Sequence, residues 1–385
     1  MSSATADLLE RLIAFPSISD RSNLPIADFV EDYLAGLGVT AHRVPSPDGQ
    51  KAAVLATVGP ADRPGIVLSG HMDVVPTEGQ AWTNDPFTTW RKDGRLYGRG
   101  SADMKGFLAS AMTLVPTLQK MGLTAPVTLA FSYDEEIGCL GVPHLLDAMA
   151  DLLPKRPWGC LVGEPTLMQP VDAHKGKAAA RCTVTGRPGH SALTDRAVNA
   201  VAIAAEIVCH VQSLGERMRR EGPHAHGFDP CWTTSSIGRI EGGGQLNVIP
   251  AACTFEFEFR SIPGVEAKAL VADVEAWALS TLLPGMREIA PEADIRFEAI
   301  QAYPGLAADP ADRFLQLCRE LAGGAEAGKV AFGTEAGWYQ SRQIPSVVLG
   351  PGDIRVAHKP DEYIEQSQLD ACDAFLERLV RAACT

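Results

Sequence analysis

Five polar segments, several of them placed where an apolar run ends, carry the side chains able to do chemistry. Ser69-Gly70-His71-Met72-Asp73-Val74-Val75-Pro76 follows the run Gly65 to Leu68. In extended chain His71 and Asp73 share a face, because side chains two apart point the same way. An aspartate so placed can hydrogen-bond the far nitrogen of a metal-bound imidazole, or simply pair with a strand-end histidine. Gly98-Arg99-Gly100-Ser101-Ala102-Asp103-Met104-Lys105-Gly106 opens a helical pattern, but it is not a phosphate loop: Asp103 stands where G-x-G-x-x-G has its third glycine, and no G-K-[ST] is present. A carboxylate there repels phosphate and suits cations, two of which its two oxygens can bridge; as an N-cap it would only close a turn. Tyr133-Asp134-Glu135-Glu136-Ile137-Gly138 puts three acids after Val127 to Phe131, a strand apolar enough for the centre of a sheet. Like charges so crowded need water or cations to screen them. Val162-Gly163-Glu164-Pro165-Thr166 ends another strand on a carboxylate, and Ala357-His358-Lys359-Pro360-Asp361-Glu362 follows the last one.

Together His71, Asp103, Glu136, Glu164 and His358 are two imidazoles and three carboxylates. That is the donor set of a paired Zn²⁺ or Co²⁺ site, with one carboxylate bridging and a water between the ions. Glu135 remains free for general acid/base work.

The elements that must hold these segments read as α/β. Ala52 to Val58, Gly65 to Leu68, Val127 to Tyr133, Gly159 to Val162 and Ser346 to Leu349 are β-rich runs. Helical patterns at Ala27 to Leu37 and Gly106 to Gln119 separate them, the second apolar or small on most faces, as a helix buried against a sheet is. The alternation predicts an α/β layer with its site at the C-terminal ends of the strands. From about Lys177 the pattern changes: strand Ala179 to Thr185, helix Ala197 to about Leu214, strands Thr233 to Ile240 and Ala252 to Arg260, helix Val265 to about Leu283, strand Asp294 to Ala302. This β-α-β-β-α-β order predicts a ferredoxin-like insert. Helices at Ala311 to Leu321 and Ser367 to Ala383 resume the first style. The expected architecture is two-domain α/β, with residues 1–177 and 301–385 forming one domain and 178–300 inserted into it.

With 385 residues the chain exceeds what one core usually serves. Lys and Arg number 34 against 47 Asp and Glu, a net charge of −13, which gives a nucleic-acid partner no basic face. Nine scattered cysteines without C-x-x-C predict neither a disulfide framework nor a thiolate metal site and fit a reducing cytoplasm. Met1 to Ser19 reads as an amphipathic helix broken at Pro16, without the basic start of a signal peptide. No run is apolar enough to span a membrane, so no membrane partner is expected.

These segments, in their order, resemble the M20 family of metallopeptidases over nearly the whole chain, with Gly189-His190-Ser191-Ala192 as a further match. The resemblance implies a zinc-peptidase-like α/β catalytic domain and an insert serving as lid and dimerisation domain. It implies that Asp103 bridges two metal ions, with His71 and Glu164 on one and Glu136 and His358 on the other. Glu135 would be the general base, Asp73 would stand behind His71, and a cis peptide would follow Asp103. In a homodimer His190 would reach across to polarise the scissile carbonyl, while Asn247 and Arg260 would bind substrate, the planar fork of Arg260 suiting an α-carboxylate.

Phe332-Gly333-Thr334-Glu335-Ala336-Gly337 and Gly350-Pro351-Gly352 are similar to the branch of the family that acts on Nα-acetyl-L-ornithine in arginine biosynthesis. That implies attack on the acetyl carbonyl by a water lying between the ions and deprotonated towards Glu135, giving ornithine and acetate. Glu335 would either pair with the cationic side chain of the substrate or hold its own loop by a hydrogen bond. The rival readings are a general N-acyl-amino-acid aminoacylase, a succinyl-diaminopimelate desuccinylase, a small-peptide hydrolase, or a non-catalytic metal-binding homologue.

Overall fold

The computed structural model describes residues 3–324 and 326–385. They form two compact units: one runs to Ala173 and resumes with Leu306–Lys329 and Thr334–Thr385, the other comprises His174–Gly305 with Val330–Gly333. Residues 1 and 2, where the N-terminal helix was expected to begin, lie outside the described residues, and that helix is found at Ala4–Ile13.

The first unit is built on a mixed sheet whose strands lie side by side in the order Ala41–Pro45, Ala52–Val58, Val127–Ser132, Ile66–His71, Gly159–Pro165, Ser346–Gly350, continued by shorter strands. Ile66–His71 pairs in parallel with Val127–Ser132 and with Gly159–Pro165, and Ser346–Gly350 pairs in parallel with Gly159–Pro165. Four neighbouring strands therefore end at the same edge, and the segments following them converge there. All four are buried along their length, as parallel strands covered on both faces are.

The helix Gly106–Leu118 packs beneath this sheet with Ala4–Ile13 and Gln366–Cys384, and Phe107, Leu108, Ala111, Met112 and Val115 lie in the main core. Its fit against the third parallel strand is close: a Cβ on Gly163 would sit 2.0 Å from the Phe107 ring. Gly163→Ala should therefore destabilise the protein by at least about 1–3 kcal/mol through overpacking, visible as a lowered thermal midpoint.

Several element boundaries differ from expectation for local reasons. The first helix after the N-terminal one starts at Leu24 rather than Ala27, with Pro25 in its first turn, where a missing N–H costs nothing. An additional helix, Val142–Leu152, buries Val142, Leu145, Leu146 and Met149 at helical spacing. In the second unit the helix placed at Ala197 begins at Ala200, because the Asn199 side chain caps the amides of Val201 and Ala202, and it runs on to Glu221. The helix expected from Val265 to Leu283 is two, Ala267–Thr281 and Leu283–Ile289, since Pro284 starts a new first turn.

The second unit is a four-stranded antiparallel sheet in the order Thr234–Gly242, Ala252–Ser261, Gly176–Thr185, Asp294–Tyr303. With Ala200–Glu221 and Ala267–Thr281 this is the ferredoxin-like β-α-β-β-α-β arrangement. Alternate residues Ala178, Ala180, Cys182, Val184 and Cys253, Phe255, Phe257, Phe259 form its core with the helices. Among the described residues no helix is long and apolar enough to cross a membrane.

Candidate active site

His71 is the last residue of its strand and 1% exposed. Its Nδ1 donates to the Asp73 carbonyl oxygen at 2.9 Å, which leaves Nε2 unprotonated in the neutral ring and free to act as a ligand. The Asp73 carboxylate lies 3.5 Å from the same Nδ1 and accepts from the Ser19 hydroxyl at 2.7 Å. It also accepts from the backbone amides of Glu135 at 3.1 Å and Glu136 at 3.3 Å, so it fixes two strand ends at once. Burial opposes its ionised form, but the imidazole and these donors outweigh burial and hold the Asp73 carboxyl below the usual range. Asp73→Ala should weaken metal affinity about 10- to 100-fold, measured by competition with a chromophoric chelator.

Asp103 sits in a tight turn that begins with Gly100 at φ +81° and includes a cis Asp103–Met104 bond. One carboxylate oxygen is 3.2 Å from His71 Nε2 and the other 3.2 Å from His358 Nε2. His358 Nε2 is also 3.0 Å from Glu136, and His71 Nε2 is 3.7 Å from Glu164. The ligand atoms of His71, Asp103 and Glu136 all lie within 4.8 Å of one another, as do those of His71, Glu135 and Glu164. Asp103 thus stands between two imidazoles, each with a further carboxylate behind it.

The electrostatics of this cluster call for cations. Even with both imidazoles protonated, the charges of Asp103, Glu135, Glu136 and Glu164 outnumber them. Burial, with neighbouring carboxylates adding to it, pushes Glu136 up to about 7 and Glu135 and Glu164 well above their ordinary range. Bonds to Asp103 and Glu136 raise His358 to about 10 despite its partial burial. Imidazole nitrogen and carboxylate oxygen are the donors that Zn²⁺ and Co²⁺ take, and a divalent ion removes the repulsion that burial intensifies. The residues fit a pair of such ions.

Glu335 is fully buried and accepts hydrogen bonds from the Ser132 hydroxyl and, at 3.2 Å, from the Ser69 hydroxyl. Burial, partly offset by Ser132, raises its carboxyl to about 7. These are bonds of the kind expected if Glu335 holds its own loop.

In the second unit His190 and Asn247 come together. Gly189–His190 pairs with Val248–Ile249, and Ser191 N donates to the Asn247 carbonyl at 3.1 Å. Both side chains are exposed. Arg260 lies instead near the end of a sheet strand, bonded to Glu258 at 2.8 Å and to the Tyr303 hydroxyl at 3.4 Å.

Sequence reasoning passed over four residues that shape the site. Ser19 orients Asp73, and the Cys139 thiol donates to Glu135 at 3.3 Å. Arg99 and Glu362 form a fully buried ion pair at 2.7 Å beside Asp103. Glu362 alone left a signal, a carboxylate four residues after His358.

The model of peptidase family M20/M25/M40 matches residues 67–382. The chain belongs to this family. Two curated relatives of the M20 protein are acetylornithine deacetylases: one from Myxococcus xanthus, 34% identical over 98% of this chain and 96% of the relative, and one from Proteus mirabilis (strain HI4320), 32% identical over the same shares. Among solved structures, an M20 family metallo-carboxypeptidase from Sulfolobus solfataricus superimposes with a TM-score of 0.78 at 16% identity, covering 99% of each chain. Membership places the M20 protein among peptidase-type hydrolases, with the cluster at the strand ends as its candidate metal centre.

Proposed function

We propose that this M20 protein hydrolyses Nα-acetyl-L-ornithine to L-ornithine and acetate. The observation that carries the reading is the near full-length likeness to acetylornithine deacetylases together with a complete His71, Asp103, Glu136, Glu164, His358 donor set. In it His71 and Glu164 would hold one divalent ion, Glu136 and His358 the other, and Asp103 would serve both. The ions, when bound, acidify water and polarise the amide carbonyl.

Glu135 takes the proton of the attacking water on a carboxylate oxygen and returns it to the nitrogen of the leaving amine. What supports it in this role is its amide anchor on Asp73, its contact with the Cys139 thiol, and burial, which raises its carboxyl well above the ordinary range. Asp73 keeps His71 in the tautomer that presents Nε2. The reading extends to a homodimer, with residues 178–300 as its lid and dimerisation domain, in which His190 of the partner subunit polarises the carbonyl. The exposure of His190 and Asn247 on one short ribbon agrees with that. Arg260, with Asn247, would grip the substrate α-carboxylate.

A substrate panel tests the proposal. Nα-acetyl-L-ornithine should be turned over with a kcat/KM clearly above those for Nα-acetyl-L-methionine and N-succinyl-diaminopimelate. A preference for either of the latter would make the protein an aminoacylase or a desuccinylase instead.

A further inference from the structure

The two halves of the candidate metal centre are supported very differently. His71 and Glu164 stand on adjacent parallel strands in the middle of the sheet, and His71 is further held by Asp73. His358 stands on a loop, at φ +61°, with half of its side chain exposed. A non-glycine residue in the left-handed region persists only where its surroundings hold it there.

Those surroundings are a buried polar network. Each oxygen of the Glu362 carboxylate accepts two hydrogen bonds: one from Ala102 N at 2.9 Å and Asp103 N at 3.1 Å, the other from Arg99 Nη1 at 2.7 Å and Gly100 N at 3.1 Å. All four donors belong to the turn that carries Asp103. Arg99 Nη2 donates to the Gln80 side-chain oxygen at 2.6 Å, and the Gln80 amide nitrogen donates to the His358 carbonyl at 3.1 Å. Thr83 binds the Asp361 carboxylate through its amide at 2.9 Å and its hydroxyl at 2.6 Å. The guanidinium of Arg99 also lies 5.0 Å from the centre of the Trp82 ring. Glu362 and Arg99 are each 1% exposed, so the Glu362 bonds form away from competing water, whereas those of Gln80 to His358 and of Thr83 to Asp361 lie at the surface.

We infer that Glu362, acting with Arg99 and Gln80, is a positioning residue that sets the spacing of Asp103 and His358 and so selectively builds the second of the two ion sites. The inference rests on the two-ion reading of the cluster. The network touches the Asp103 turn and the backbone of His358, whereas His71 and Glu164 depend on the sheet. Disrupting the network therefore loosens the ion held by His358 and Glu136 more than the one held by His71 and Glu164, which feels it only through the shared Asp103. Outer partners of this kind commonly govern 10- to 100-fold in metal affinity.

The test is a Co²⁺ titration of chelator-stripped protein, followed by calorimetry and by the visible absorption of bound Co²⁺, on the wild type, Glu362→Gln, Gln80→Leu and His358→Ala. Glu362→Gln turns an NH₂ group towards N–H donors, breaking half of the network without changing its volume. Gln80→Leu cuts the link to His358, together with the Gln80 acceptor of Arg99 and Trp82, and leaves the Glu362–Arg99 ion pair and the Glu362 bonds to the Asp103 turn in place, so it tests the inference should Glu362→Gln fold poorly. The wild type should bind two ions. Glu362→Gln should bind the second ion at least about 10-fold more weakly and the first with a clearly smaller loss, with Gln80→Leu changed in the same direction by less and His358→Ala retaining one ion only. Equal weakening of both ions, or no change in either, in folded Glu362→Gln and Gln80→Leu would overturn the inference. A wild type that binds no Co²⁺ would instead overturn the two-ion reading beneath it.

Discussion

Glu135→Gln is expected to lower kcat for Nα-acetyl-L-ornithine by about 10²- to 10⁴-fold, the usual share of a general acid-base group, while two ions stay bound and KM changes little. The substitution preserves shape and leaves the Glu135 amide in place on Asp73. It removes only the capacity to take up a proton and release it. The point is a sharp one because the Glu135 carboxylate lies within ligand distance of His71 and Glu164. If Glu135 were a ligand, Glu135→Gln would lose metal and activity together. Steady-state kinetics with elemental analysis on the same preparation separates the outcomes: a large loss of kcat with full metal identifies the base, and a parallel loss of both makes it a ligand. A wild-type rate would remove it from the mechanism.

Asp103→Ala is expected to have the larger effect on the metal centre. The Asp103 carboxylate lies 3.2 Å from each imidazole, and on the two-ion reading neither ion would keep its shared ligand without it. Turnover should fall below detection. The consequence for stability is measurable without any activity: a bound ligand at about 100 times its Kd stabilises the folded state by about 2.7 kcal/mol. Wild-type protein should therefore show a raised thermal midpoint when Zn²⁺ is added after stripping, and Asp103→Ala should show almost none of that rise. An undiminished rise in Asp103→Ala would mean that the ions bind elsewhere.

Several candidate ligands were legible in the sequence because His71, Glu136 and Glu164 are charged or imidazole side chains placed where an apolar strand stops. Chain position therefore carried their location before the sheet was known. That Ile66–His71, Val127–Ser132, Gly159–Pro165 and Ser346–Gly350 lie side by side in parallel register was not legible, since strand order is set by contacts far apart in sequence. The same distance hid the supports of the site. The motif of Glu335 leaves two roles open, and the Ser69 and Ser132 hydroxyls it meets lie more than 200 residues earlier in the chain. Glu362 reaches back some 260 residues to the Asp103 turn. Local features fared differently: Pro284 and Asn199 mark the ends of helices by ordinary capping and proline rules, and both boundaries could have been drawn from sequence.

The most direct measurement is the release of ornithine from Nα-acetyl-L-ornithine by chelator-stripped protein as Zn²⁺ or Co²⁺ is returned stepwise. The account predicts no turnover in the stripped protein and a rise that tracks the bound ions until the centre is full. Hydrolysis that persists without metal, or a filled centre that leaves the acetyl group uncleaved, would contradict it.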